Sequence, residues 1–159
     1  MRSIILVLLL LAGPALSAGF ELNGRALGDR SDEVLTDPRY DCGGVSACFL
    51  FTSCVFRDAA QEALYGAPLE ALTLYYAGER VGAIEAQFAP EDFDRVVQAS
   101  MREHGEAQPE QPAHAVSGNA VYTWRAGSRV LRVERFFAPT GRASLIITDR
   151  SVLTELVDR

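Results

Sequence analysis

Apolar and polar residues alternate through two stretches of the chain that match one another. Residues 74–90 read LYYAGERVGAIEAQFAP and residues 123–139 read TWRAGSRVLRVERFFAP. They align without a gap at an offset of 49, and eight of the 17 positions are identical. A period of two marks half-buried strands. Each copy is interrupted by a Gly-X pair, Gly78-Glu79 and Gly127-Ser128. Such a pair closes a tight hairpin, because glycine takes positive φ at no steric cost. The spacing predicts two related hairpins, with Tyr76 opposite Val81 in the first. In the second it sets Ala126 opposite Arg129, Trp124 opposite Leu131 and Tyr122 opposite Val133.

Between the copies the period changes to that of a helix. In PEDFDRVVQASMREHG (90–105), Phe93, Val96, Val97, Ser100, Met101 and His104 fall on one face. Pro90 suits the first helical position, and Gly105 suits the position just past the last turn. A shorter helix is expected from Ser31, read as N-cap, with Asp32 and Glu33 in its first turn and Pro38 as its stop. The run CFLFTSCVF (48–56) reads as a buried strand, and Phe20–Leu22 as a short edge strand. DCGGVSA (41–47) and 106–118 read as loops, with a helical turn around Ala59–Leu64. ASLIITD (143–149) reads as a last strand, leading into a short helix capped by Thr148 or Asp149. The expected class is α+β: two tandem αβββ units forming one antiparallel sheet, helices packed on one face, plus a C-terminal helix.

Alternation also predicts the faces. Tyr122, Trp124, Leu131, Val133 and Phe137 form the core side, and the offset of 49 adds Thr73, Tyr75, Ile84 and Phe88. The other side then carries Leu72, Leu74, Tyr76, Val81, Arg125, Val130, Arg132 and Phe136. Aromatics, aliphatics and Arg together are what protein interfaces enrich. The competing expectation is that loop 106–118, region 57–68 or the N-terminus covers this face.

Composition then adds a compartment. The chain opens MRSIILVLLLLAGPALSAGF: a positive start, the apolar run Ile4–Ala12, then small residues. Residues 1–18 are expected to be a signal peptide and 19–159 a single α+β domain holding the repeat. The apolar run is far short of the ~20 residues a bilayer span needs. No cysteine follows it to carry a lipid anchor. The expected location is periplasmic or secreted. All 15 basic residues are Arg, and the net charge of −6 becomes −7 (14 − 21) once the leader is removed. An acidic chain without a basic run argues against nucleic acid or an anionic membrane as partner.

Three cysteines in an oxidising compartment permit one intrachain bridge. Cys48 and Cys54 share the predicted strand, roughly 20 Å apart, beyond the ~7 Å reach of a disulfide. Gly43-Gly44 lets Cys42 reach either. Cys42–Cys48 is the favoured pair and Cys42–Cys54 the alternative. A metal or redox role finds no support, since there is no CxxC and only two His. No catalytic or phosphate-binding motif is present either. Glu85 and Glu134, equivalent in the repeat, read as strand residues paired with Arg before they read as an acid–base pair.

The stretch LGDRSDEVLTDP (27–38) resembles the opening helix of BamE/SmpA-type outer-membrane assembly proteins, where a helix leads a three-stranded meander. Doubling that plan is similar to the β-lactamase-inhibitor-protein architecture. The chain departs from the lipoprotein members in lacking a lipobox cysteine. The resemblance implies a non-enzymatic protein-binding domain. With the leader, the missing motifs and the mixed outer face, the expectation is an exported protein-interaction or inhibitor-like domain with no catalysis, no cofactor and no metal, whose partner is an unidentified periplasmic or envelope protein. The alternative expectation is a small-ligand carrier or enzyme accessory, using a pocket between sheet and helices near Trp124 and His104.

Overall fold

The computed structural model describes residues 21–22, 24–45, 52–110, 119–137 and 140–154. Residues 1–18, expected to be a leader, and Cys48 lie outside them. Strands β1 (Glu21–Leu22) and β2 (Arg25–Ala26) form a small ribbon, and helix α1 (Ser31–Leu35) follows. Next come β3 (Tyr40–Val45), β4 (Thr52–Phe56), a 3-10 turn at Ala59–Gln61 and β5 (Ala63–Leu64). The first repeat copy is the hairpin β6 (Ala67–Ala77) and β7 (Arg80–Phe88). A 3-10 turn at Pro90–Asp92 runs into α2 (Phe93–His104). After β8 (Gln108–Glu110), the second copy is the hairpin β9 (Val121–Ala126) and β10 (Arg129–Phe137). The described chain closes with β11 (Arg142–Asp149) and α3 (Arg150–Thr154).

The expected α+β class is overturned. The protein is dominated by one antiparallel sheet of nine strands, ordered β3-β4-β6-β7-β11-β10-β9-β8, with β5 beside β6. Among the described residues only α2 is a helix of seven residues or more. Two αβββ units do not stand side by side, for three reasons. Helix α1 reaches only five residues. Of the segments read as loops, 41–47 and 106–118, residues 41–45 and 108–110 pair within edge strands. Gly43, at φ 122°, is absorbed by a bulge between Cys42 and Gly44. Lastly, β11 does not extend the second copy outward but inserts between β7 and β10, antiparallel to both.

The hairpins themselves form as the spacing predicts. Gly78 and Gly127 sit at φ 62° and 61° in two-residue turns. Tyr76 pairs with Val81, Trp124 with Leu131 and Tyr122 with Val133. Helix α2 also forms, burying Phe93, Val96, Val97 and Ser100 and ending at Gly105 with φ 83°. Ser31, however, is the first helical residue of α1; Arg30 occupies the cap position and no side chain caps the helix. At α3 the Asp149 carboxylate accepts from the Ser151 amide at 3.0 Å, satisfying one of the orphan donors of the first turn.

The copies differ in one residue of register, and that residue decides the core. In β9–β10 the pairing runs unbroken from Ala126↔Arg129 to Val121↔Glu134. In β6–β7 it jumps from Tyr76↔Val81 to Tyr75↔Ala83, leaving Gly82 as an extra residue. A one-residue slip moves every later side chain to the other face. Tyr75 therefore leaves the face of its repeat mate Trp124, and Leu72, Leu74, Tyr76 and Val81 enter the core. They are 0, 0, 3 and 0% exposed. The expectation that these four lie on an interaction face is thus corrected. The outward backbone of Val81 is engaged at the same point: Gly28 N–H donates to its carbonyl at 2.8 Å, and its N–H donates to the Asp29 carbonyl at 2.9 Å.

The core lies between α2 and the sheet face bearing Leu72, Leu74, Ile84, Phe88, Leu131 and Leu145. Phe93 of α2 meets Tyr122 with ring centroids 6.0 Å apart. Trp124 Nε1 donates to the Gly105 carbonyl at 2.9 Å, tying the helix end to β9. Cys42 bonds to Cys54 and not to Cys48, because β3 and β4 place those two residues directly opposite, with Cα atoms 4.0 Å apart.

Two measurements check this arrangement. Leu74→Ala should lower unfolding stability by about 2–5 kcal/mol in a denaturant titration; a loss near zero would return Leu74 to the surface. Replacing Cys42 and Cys54 by Ser should cost about 3 kcal/mol, as expected for closing a loop of this length, with the sheet retained by far-UV circular dichroism.

Candidate functional site

The sheet face opposite α2 carries the polar chemistry. Register places its residues in rows across the strands. One row runs Thr73, Glu85, Ile146, Arg132, Thr123. The row on one side runs Tyr75, Ala83, Thr148, Val130, Arg125, and the row on the other runs Gln87, Ser144, Glu134, Val121. Of the eight residues expected to make an interaction face, Arg125, Val130 and Arg132 come together here. Phe136 is 36% exposed at the end of β10, where its N–H donates to Asn119 Oδ1 at 3.1 Å.

These three residues line one wall of a hollow of about 260 Å³. Arg150 adds a third guanidinium, and Thr123 and Thr148 supply hydroxyls. Val130, Ile146 and Phe137 give it apolar walls. Phe137, expected in the core, reaches this face because a register shift between Glu134 and Phe137 turns the end of β10. Among the described residues, no acidic one lines the hollow. Its nearest carboxylate in the rows, Glu134, is occupied: Arg132 Nη2 lies 3.2 Å from Glu134 Oε2, and Asn119 Nδ2 donates to Oε1 at 2.9 Å.

Three polar atoms on this face are buried without a hydrogen-bond partner among the described residues: Thr123 Oγ1, Arg132 Nε and Ser144 Oγ. Thr123 and Arg132 face each other directly across β9 and β10. Leaving such a group unpaired costs about 1–3 kcal/mol, so a cluster of them marks a place where another acceptor fits.

The two repeat-related glutamates do not form an acid–base pair. Glu134 is paired with Arg as expected, but Glu85 is not. It is buried, accepting from Tyr75 Oη at 2.5 Å and Gln87 Nε2 at 2.7 Å. Strand β11 separates the two carboxylates, and they lie in neighbouring rows, so their backbones are more than two strand spacings apart, over about 9.6 Å. Each oxygen pair is engaged by its own neighbours. Among the described residues no group of three His, Cys, Asp or Glu side chains is placed to hold a metal ion.

A smaller hollow of about 160 Å³ lies where α2 ends, lined by His104, Glu106, Trp124 and Arg125 among others. Only 8% of the His104 side chain is exposed. Burial holds its imidazole below the ordinary histidine range, with the Glu103 carboxylate pulling weakly the other way. The hollow beside the disulfide, about 740 Å³, is wide open and lined by Asp41, Ser53, Val55, Arg57 and Glu70.

The missed site residues Ile146, Thr148 and Arg150 follow the core residues of β11 in strict alternation, so period two marks them once β11 is placed beside β10. Phe137 has no such signal, because only the register shift puts it there.

The His104 pKa gives a signed pH effect. The folded state disfavours the imidazolium, so the unfolded chain binds more protons and stability rises with pH. That contribution is complete above the unfolded value near 6.5 and is lost as pH falls toward the folded value. His104→Gln should flatten this part of a stability–pH profile followed by Trp124 fluorescence; an unchanged slope would assign it to other groups. No protein-family model matches this chain, and neither a curated protein nor a solved structure does.

Proposed function

We propose that the chain is an exported, non-catalytic binding domain that holds a periplasmic or envelope protein against the sheet face opposite α2. The observation that carries this reading is the cluster of Arg125, Arg132 and Arg150 around apolar walls, in a chain whose net charge is −6. Such a local reversal of sign steers and orients an acidic surface more than it stabilises the fold. Arginine over apolar contacts is also the composition of interface hot spots. The leader-like N-terminus and the Cys42–Cys54 bond support the oxidising compartment. No helix among the described residues is long and apolar enough to cross a membrane.

The inhibitor-like variant of this reading leans on a doubled αβββ plan, which the strand order does not keep, so the general binding domain is preferred to it. A second reading, a small-ligand carrier, draws on the hollow beside Trp124 and His104. At about 160 Å³ that hollow is smaller than the one on the sheet face, and its lining sets Glu106 beside Arg125 instead of gathering one sign of charge, so the sheet face is preferred.

The test is in-cell crosslinking followed by partner identification, comparing the natural chain with Arg125→Ala/Arg150→Ala. Both side chains are exposed, and the double variant should unfold within about 1 kcal/mol of the natural chain. It is expected to lose most of the crosslinked partner. Full retention of that partner by a folded double variant would remove the face from consideration. Fluorescence quenching of Trp124 by small metabolites, unaffected by these changes, would favour the carrier.

A further inference from the structure

We infer that the hollow between β9, β10 and β11 is a carboxylate site, built to take a carboxylate carried on an apolar group. This deepens, and rests on, the reading of that sheet face as the binding surface. Three features of the hollow carry it. First, the charged residues among its described lining, Arg125, Arg132 and Arg150, are all cationic. Second, Thr123 is 1% exposed with Oγ1 unpartnered, and Arg132 Nε across the hairpin is buried and unpartnered as well. Arg132 Nε–H can only donate and the Thr123 hydroxyl can donate, so one acceptor satisfies both, and the cationic lining favours an anion. Third, Val130, Ile146 and Phe137 form apolar walls. A free inorganic anion has no use for these, whereas an aliphatic or aromatic stem buries surface against them.

Carboxylate suits the dimensions. A volume of about 260 Å³ admits one side chain or one small organic acid, not a folded surface. A guanidinium matches the planar carboxylate edge in two parallel hydrogen bonds. The polypeptide form of the ligand is a C-terminal carboxylate next to an aromatic or aliphatic side chain. The small-molecule form is a short aryl or alkyl acid.

The experiment is titration of the full mature chain, watched by backbone amide NMR shifts, with four probes. They are 4-phenylbutyrate, the uncharged 4-phenylbutanol, inorganic phosphate, and a short peptide ending in Phe as free acid or amide. Phenylbutyrate and the free-acid peptide should shift the amides of 123–125, 130–132 and 146–150, and raised salt should weaken both. Phenylbutanol and the peptide amide should bind at least about tenfold more weakly, since each loses a charged hydrogen-bond partner. Tighter binding of the free-acid peptide would point to a polypeptide source, and tighter binding of phenylbutyrate to a small acid.

Two variants keep the inference falsifiable. Arg132→Gln should weaken phenylbutyrate about tenfold or more. Thr123→Val removes the unpartnered hydroxyl at constant shape; it should leave the fold at least as stable and still weaken phenylbutyrate severalfold. Phosphate binding as tightly as phenylbutyrate would overturn the apolar-stem assignment. Thr123→Val with unaltered phenylbutyrate binding would overturn the site. A partner still crosslinked through Arg125 and Arg150, while no carboxylate probe binds, would sink the carboxylate site alone and leave the binding-domain reading standing.

Discussion

The ladder between β7 and β11 holds the two halves of the molecule together. Six residue pairs, from Phe88↔Ala143 to Ala83↔Thr148, join the hairpin of the first copy to the strand that follows the second. Antiparallel pairing there fixes which residues of both copies share a face. On the helix side it sets Ile84 against Ile147 and Ala86 against Leu145, so the apolar layer continues across the joint. On the other side it continues the polar rows from Glu85 through Ile146 to Arg132. Neither half closes a core alone; α2 spans the joint from above, and its Phe93 reaches the second hairpin while lying next in sequence to the first.

The internal repeat is a guide to hairpins and not to faces. Its eight identities preserve turn chemistry, Ala-Gly before Arg-Val, and the strand glutamates. Those features were legible, and the turns and pairings form as expected. What the repeat hides is Gly82, opposite Leu131 in the alignment, which adds a residue to β7 without a partner in β6. Alternation read within β6 gives Leu72, Leu74 and Tyr76 as one set and Thr73 and Tyr75 as the other. Only register says which set faces the core, and register is a non-local quantity. The same limit explains the cysteines: an uninterrupted strand over 48–56 makes Cys48 the nearer partner, whereas pairing of β3 with β4 sets Cys54 opposite Cys42. The helix α2, whose signals are all local, was legible along its face and at Gly105, although Pro90–Asp92 wind as a 3-10 turn ahead of its first residue.

The candidate site was half legible for a related reason. Arg125, Val130 and Arg132 lie within one hairpin, and alternation joins them. Arg150 and Thr148 come from β11 and α3, and enter only because β11 lies beside β10. A cluster of like charge gathered from three segments repels itself, and nothing in the packing of the sheet requires it. Glu134 offsets part of that cost by engaging Arg132, while Asp149 lies 3.5 Å from Arg129 at the far end of the strand.

An open sheet has two edges, and each is a template for unwanted pairing with another chain. Here the two are blunted by different means. On the β8 side the edge strand is three residues long and contains Pro109, which has no N–H to offer. On the β3 side the strand is longer, but its Gly43 bulge bends the backbone and the Cys42–Cys54 bond pins it to β4. That second guard is chemical. A chain with reduced thiols has one edge held by its ladder alone, so resistance to self-association is completed only where thiols oxidise, and oxidation becomes a maturation step for colloidal behaviour as well as for stability.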